Sequence, residues 1–88
     1  MKIYKYPVPI TDSFILKMPL EAKLLSFQMQ NDIPSLWAAV WENSSLEDRK
    51  FRVVGTGHDI DMDNVKQFIG TIQQMGGRFV WHLFEVKE

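Results

Sequence analysis

The chain contains no cysteine. No disulfide braces it and no thiolate is there to hold a metal, so two common supports of a very small domain are missing. It also lacks a surplus of either charge: ten Lys and Arg stand against eleven Asp and Glu, for a formal net charge of −1 and a pI near 6.1. Long nucleic acid is usually held through a basic excess or stripe, so this balance argues against that partner. One small nucleotide needs only a few donors. No apolar run approaches the roughly 20 residues of a membrane-spanning helix. The opening MKIYKYPVPITD, interrupted by Lys5, Pro7 and Pro9, has no signal-peptide core. There is no repeat, linker or low-complexity stretch. The expectation is one soluble domain over residues 1–88, acting in the cytoplasm with no membrane partner and no cofactor.

What is present is apolar and aromatic. Of 88 residues 45% are hydrophobic and 12% aromatic, including three Trp and six Phe. A chain this short buries a modest share of its surface. Aromatic side chains bury roughly 150–250 Å² each and so fill a thin core. The alternative support is a partner subunit, and a homo-oligomer is expected on that ground.

Period-two alternation dominates. KIYKY sets Ile3 and Lys5 against Tyr4 and Tyr6, and Pro7 and Pro9 then fit an edge or a bend. SFILKM is a β-rich run closed by Pro19. AKLLSFQMQ places Leu25, Phe27 and Met29 on one face, with Ser26, Gln28 and Gln30 on the other. NDIP reads as a turn. SLWAAVWE carries Trp37 and Trp41 opposite Leu36, Ala38 and Val40, and NSSLED is a polar hairpin loop before RKFRVVGTGH. RFVWHLFEV is the clearest strand, with Phe79, Trp81 and Leu83 against Val80, His82 and Phe84.

Residues 63–75 read two ways. Val65, Phe68, Ile69 and Ile72 make a helical stripe that Asp63 could cap. Gly70 would then sit mid-helix at about 1 kcal/mol. The strand reading pairs FIGTIQQ with RFVWHLFEV across the turn MGG, after a turn or short helix near 62–66. The strand reading is preferred. It yields an all-β or β-dominated domain, a small antiparallel sandwich or open barrel of six to seven short strands.

The candidate site centres on VVGTGHDIDMD. A glycine-rich loop exposes backbone N–H groups to phosphate. A P-loop needs Lys-Ser/Thr at its end, and a dinucleotide fingerprint needs a third glycine opening a helix. Neither occurs, so Gly55 and Gly57 read first as a bulge or positive-φ position at a strand end. Asp59, Asp61 and Asp63 match the first ligand positions of a calcium loop, but Asn64 and Gly70 stand where its glycine and glutamate belong. No metal is expected there. His82, on a strand face, reads as a hydrogen-bonded structural histidine. No nucleophile elbow accompanies the Ser, His and Asp residues, and no catalytic residue is assigned. The candidate ligand-binding residues are Gly55, Thr56, Gly57, His58, Trp37, Trp41, Arg52 and His82.

Three stretches in order, YKYPVPITDSFILKMPLEAKLLSFQMQNDIPSLWAAV, VVGTGHDI and FIGTIQQMGGRFVWHLFE, resemble a family of small proteins encoded by tailed phages and prophages. The resemblance covers nearly the whole chain. It implies a phage protein working in the host cytoplasm, and it supports the strand reading of FIGTIQQ. It carries no activity and no catalytic residues.

Three functions follow as expectations. The first is an accessory protein that acts by binding and inhibits a host defence system. It would sequester a small nucleotide signal or block a host protein. In the nucleotide form, Gly55–His58 meet phosphate and a Trp or Tyr stacks the base. Basic contacts then come from Arg49, Lys50, Arg52 or Arg78. The second is a structural or interaction module with an exposed edge or apolar face. The third is a small metal-dependent hydrolase using His58 with Asp59 and Asp61.

Overall fold

The computed structural model describes residues 1–88. Its strands are β1 (Lys2–Pro7), β2 (Ser13–Pro19), β3 (Lys23–Gln30), β4 (Ile33–Val40), β5 (Leu46–Gly55), β6 (Val65–Gln74) and β7 (Phe79–Val86). Single 3₁₀ turns at Met62–Asn64 and Met75–Gly77 flank β6. The strands form a three-stranded sheet A, ordered β1-β4-β3, and a four-stranded sheet B, ordered β2-β5-β7-β6. Every pairing is antiparallel. The architecture is the expected β-dominated sandwich, with seven strands and no closure into a barrel. No helix is long and apolar enough to cross a membrane.

Alternation decides which side of each strand meets the core. Leu36, Ala38 and Val40 of β4 point inward, against Phe51 and Val53 of β5 and Leu83 of β7. Met18, Leu24, Phe27 and Ile72 complete the centre, and Phe14 stacks on Phe51 at 5.3 Å between centroids. Each inward side chain loses nearly all its water contact, worth about 1.5–3 kcal/mol for a large aliphatic or Phe.

The departures from simple alternation have local causes. A bulge in β3 between Leu24 and Ser26 shifts the register. Leu24 therefore takes the core position and Leu25, expected beside Phe27 and Met29, is 52% exposed. Two bulges in β6, between Val65 and Gln67 and between Phe68 and Gly70, spread its apolar residues to a nearly helical spacing. That is why a strand imitated a helix in the sequence. The short helical turn expected near 62–66 spans Met62–Asn64 and is capped by Asp61, whose carboxylate accepts from the Asp63 N–H. The NDIP turn tightens to Asn31 and Asp32, both at positive φ, and Pro34 already lies in β4. β5 begins at Leu46, so Leu46, Glu47 and Asp48 of the expected loop pair with β2.

Gly70 has a packing duty. A Cβ there would stand 3.1 Å from Phe27 Cβ and 3.3 Å from the Phe27 carbonyl oxygen. The backbones of β6 and β3 thus meet directly and bring the two sheets together on that side.

β5 and β6 run parallel with β7 between them. Their connection, Thr56–Asn64, therefore crosses β7, and it takes the outer face because sheet A fills the inner one. Val54 and Val86 point to that outer face yet are buried beneath it. The far end of the strap is tied down where the Lys87 N–H donates to the Asn64 carbonyl and Asn64 pairs with Glu88 through two hydrogen bonds.

Candidate functional site

At one end of the sandwich lie the C-terminal ends of β1, β3, β5 and β6 and the starts of β2, β4 and β7. Here β7 presents two aromatic residues on its inward row. Phe79 and Trp81 stack almost parallel, 7° apart with centroids 6.0 Å apart. Trp81 packs against the core, and Phe79 remains 46% exposed. The indole N–H of Trp81 donates to Gln74 Oε1 at 2.8 Å, which fixes the ring in place.

The aromatic pair separates two open concavities. The larger, about 690 Å³, lies between the turns of the β3–β4 and β6–β7 hairpins, with Met29, Asp32, Gln73, Gln74 and Met75 around it. The smaller, about 320 Å³, is lined by Gly55, Thr56, His58 and Arg78 as well as Phe79 and Trp81. Both volumes fall in the range of small-molecule sites. The chemistry of the two sides differs. One offers a carboxylate and two amides. The other offers a guanidinium and an imidazole.

The glycines of GTGH make the smaller side possible. A Cβ on Gly55 would lie 3.2 Å from Trp81 Cζ3 and 3.3 Å from His58 Nδ1, so glycine lets both rings close over the backbone. Gly57 has φ +91°, the left-handed region that side chains resist, and it turns the chain so that the His58 N–H donates to the Gly55 carbonyl. The bulge-or-turn expectation thus resolves into a close approach at Gly55 and a positive φ at Gly57.

His82 faces the other side of sheet B. Its Nε2 meets Thr56 Oγ1 at 2.6 Å and its Nδ1 meets Thr71 Oγ1 at 2.8 Å. Both ring nitrogens are engaged, so His82 latches the start of the strap to β6. The two histidines lie on opposite sides of the strand end and share no site, though Thr56 neighbours both.

Of the residues expected to bind, Gly55, Thr56 and His58 come together, with Gly57 in the same turn. Trp37 lies on the outer face of sheet A, and Trp41 follows β4 and is exposed. Arg52 lies on the outer face of sheet B opposite Phe84, its Nε buried without a hydrogen-bond partner. Among the basic candidates, Arg78 lines the smaller concavity, whereas Arg49 is half-buried and fully engaged within the fold. It forms two hydrogen bonds to the buried Glu85 carboxylate and a third to the Ala22 carbonyl. Hydrogen bonding to Glu85 holds its pKa up against the opposing effect of burial. Met29, Asp32, Gln73, Gln74 and Met75 had no signal in the sequence beyond turn composition. Only the meeting of two hairpin ends makes them neighbours. His58, Asp59 and Asp61 do not gather into a three-ligand metal cluster.

The fold defines an open seven-stranded β-sandwich with an aromatic-walled cleft at one end. Residues 1–88 match the family described as a domain of unknown function, DUF7352, and the chain belongs to that family. No curated protein and no solved structure matches it.

Proposed function

We propose that this protein acts by binding, and that its ligand is a small nucleotide held at the aromatic end of the sandwich. The observation that carries this reading is the Phe79–Trp81 stack standing between two open concavities, with Arg78 and His58 on one side of it. A flat, half-exposed aromatic accepts the face of a base, and stacking contributes about 1–3 kcal/mol per base. A guanidinium beside an imidazole suits a phosphate. The resemblance to proteins of tailed phages supplies the setting: an accessory protein that ties up a host nucleotide signal in the host cytoplasm and so blunts a defence response.

A second reading rests on a different surface. The strands of sheet A contain Lys2, Lys5 and Lys23 and no carboxylate. On or beside the outer face of this sheet, Ile3, Leu25 and Trp41 are all more than half exposed. Such a face suits a protein partner, either a host protein or a second copy.

A thermal-shift panel of mono-, di- and cyclic nucleotides separates the two. A ligand at 100 times its Kd adds about 2.7 kcal/mol, which is several degrees for a domain this size. The expected result is a shift with nucleotides that Phe79→Ala abolishes while its own unliganded Tm stays near the wild-type value. A flat panel would remove the nucleotide reading and leave the protein-partner face.

A further inference from the structure

We propose that the nucleotide is a guanine nucleotide, its base on Phe79 with the hydrogen-bonding edge toward Asp32 and Gln74, and its phosphate on the Arg78 side. This rests on the binding reading above and goes beyond it by choosing the base. The argument starts from Gln74. An indole N–H only donates, so the Gln74 atom 2.8 Å from Trp81 Nε1 is the carbonyl oxygen, and the amide orientation is set by chemistry. The NH₂ of Gln74 makes no hydrogen bond within the fold and is the donor it brings to the larger concavity, while its oxygen is held by the indole. Asp32 lines the same concavity and its carboxylate only accepts.

Guanine displays one acceptor, O6, followed by two adjacent donors, N1–H and N2–H₂. A donor from Gln74 and two acceptor oxygens from Asp32 complement that row. Adenine displays a donor at N6 and an acceptor at N1, so its N1 lone pair would face a carboxylate oxygen and the amide NH₂ of Gln74 would face a donor. Asp32 is exposed and Gln74 half-buried until a base set on Phe79 covers them, and an adenine there would then leave a lone pair against a carboxylate and a donor against a donor. The phosphate cannot share the Asp32 side without charge repulsion. It fits across Phe79, where Arg78, His58 and the Gly55–His58 turn line the smaller concavity. The exposed Phe79 ring is the one element common to both sides apart from Trp81.

The test is isothermal titration of the full chain with GMP, AMP and guanosine at fixed salt, for wild type, Asp32→Asn and Arg78→Gln. Asp32 sits at φ 64°, a conformation asparagine adopts readily, so the first variant keeps the turn. GMP should bind at least tenfold more tightly than AMP. Asp32→Asn should collapse that ratio toward one, because its amide now donates to adenine N1. Arg78→Gln should weaken GMP about tenfold or more while leaving guanosine unchanged. If nucleotides bind without base preference, or Asp32→Asn leaves the preference intact, the guanine assignment fails and the binding reading stands. If no nucleotide binds, both fail together.

Discussion

The inward row of β7 joins two regions that solve opposite problems. At one end Glu85 is buried, and its carboxylate is matched by Arg49, which also satisfies the Ala22 carbonyl. At the other end, on the same face of the same strand, Phe79 and Trp81 stack beside open space and polar groups that are not all matched to one another. One end consumes its hydrogen-bonding capacity within the fold. The other leaves Asp32, the Gln74 amide, Arg78 and His58 facing concavities. A buried charge is tolerated only when paired, so the Glu85 end is committed to structure. The aromatic end is free to meet a ligand.

The largest expected effect breaks the committed end. Glu85→Ala leaves the Arg49 guanidinium buried beside no carboxylate except Glu47, whose Oε2 is 3.8 Å away. A loss of about 3–5 kcal/mol is expected from such unpairing, read as a lowered midpoint in urea denaturation. Unchanged stability would mean that Arg49 relaxes to solvent and that the two ends are not so different. Glycines sharpen the contrast at intermediate size. Gly70→Ala drives a methyl into the Phe27 backbone, at about 1–3 kcal/mol for overpacking. Gly57→Ala meets no atoms within 4 Å and suffers only from its φ of +91°, at about 1–2 kcal/mol. The first should lower Tm more than the second. The reverse order would show that the β3–β6 contact yields easily.

The smallest effect concerns Tyr6, whose phenol is pushed above the usual tyrosine value by burial and then by the neighbouring Tyr4. The folded state therefore holds this proton more tightly than the unfolded chain does. Between the unfolded value of about 10 and the raised folded value, the native state binds more protons, so stability falls as pH rises through that window. A Tyr6→Phe variant should lose less stability than wild type between pH 9 and pH 11 in thermal melts.

Much of the fold was legible because β-strands write their faces with a period of two. The inward rows of β4 and β7 follow from residues that alternate cleanly, and the strand reading of FIGTIQQ from Gly70 and from the MGG turn that leads into β7. The bulges did not show: one extra residue in β3 sends Leu25 to solvent, and two in β6 give Ile69 and Ile72 a helical look. A bulge depends on the partner strand, which no local pattern encodes. The same limit divides the candidate site. The glycines and His58 stood out as a compact motif, but the aromatic residues expected beside them, Trp37 and Trp41, lie elsewhere, and Phe79 with Trp81 stands in that place. Arg49 and Arg78 looked alike in the sequence, but one is locked to Glu85 and the other borders open space.

By itself the sequence determined a β-rich fold, free of cysteine and nearly balanced in charge, with aromatic residues at alternating positions and a glycine turn after its fifth strand. Only the tertiary structure decided that Asp32, Gln74, Phe79 and Arg78 border one end of the sandwich. They come from separate hairpins, and pairing across distant strands, not local preference, sets which turns become neighbours.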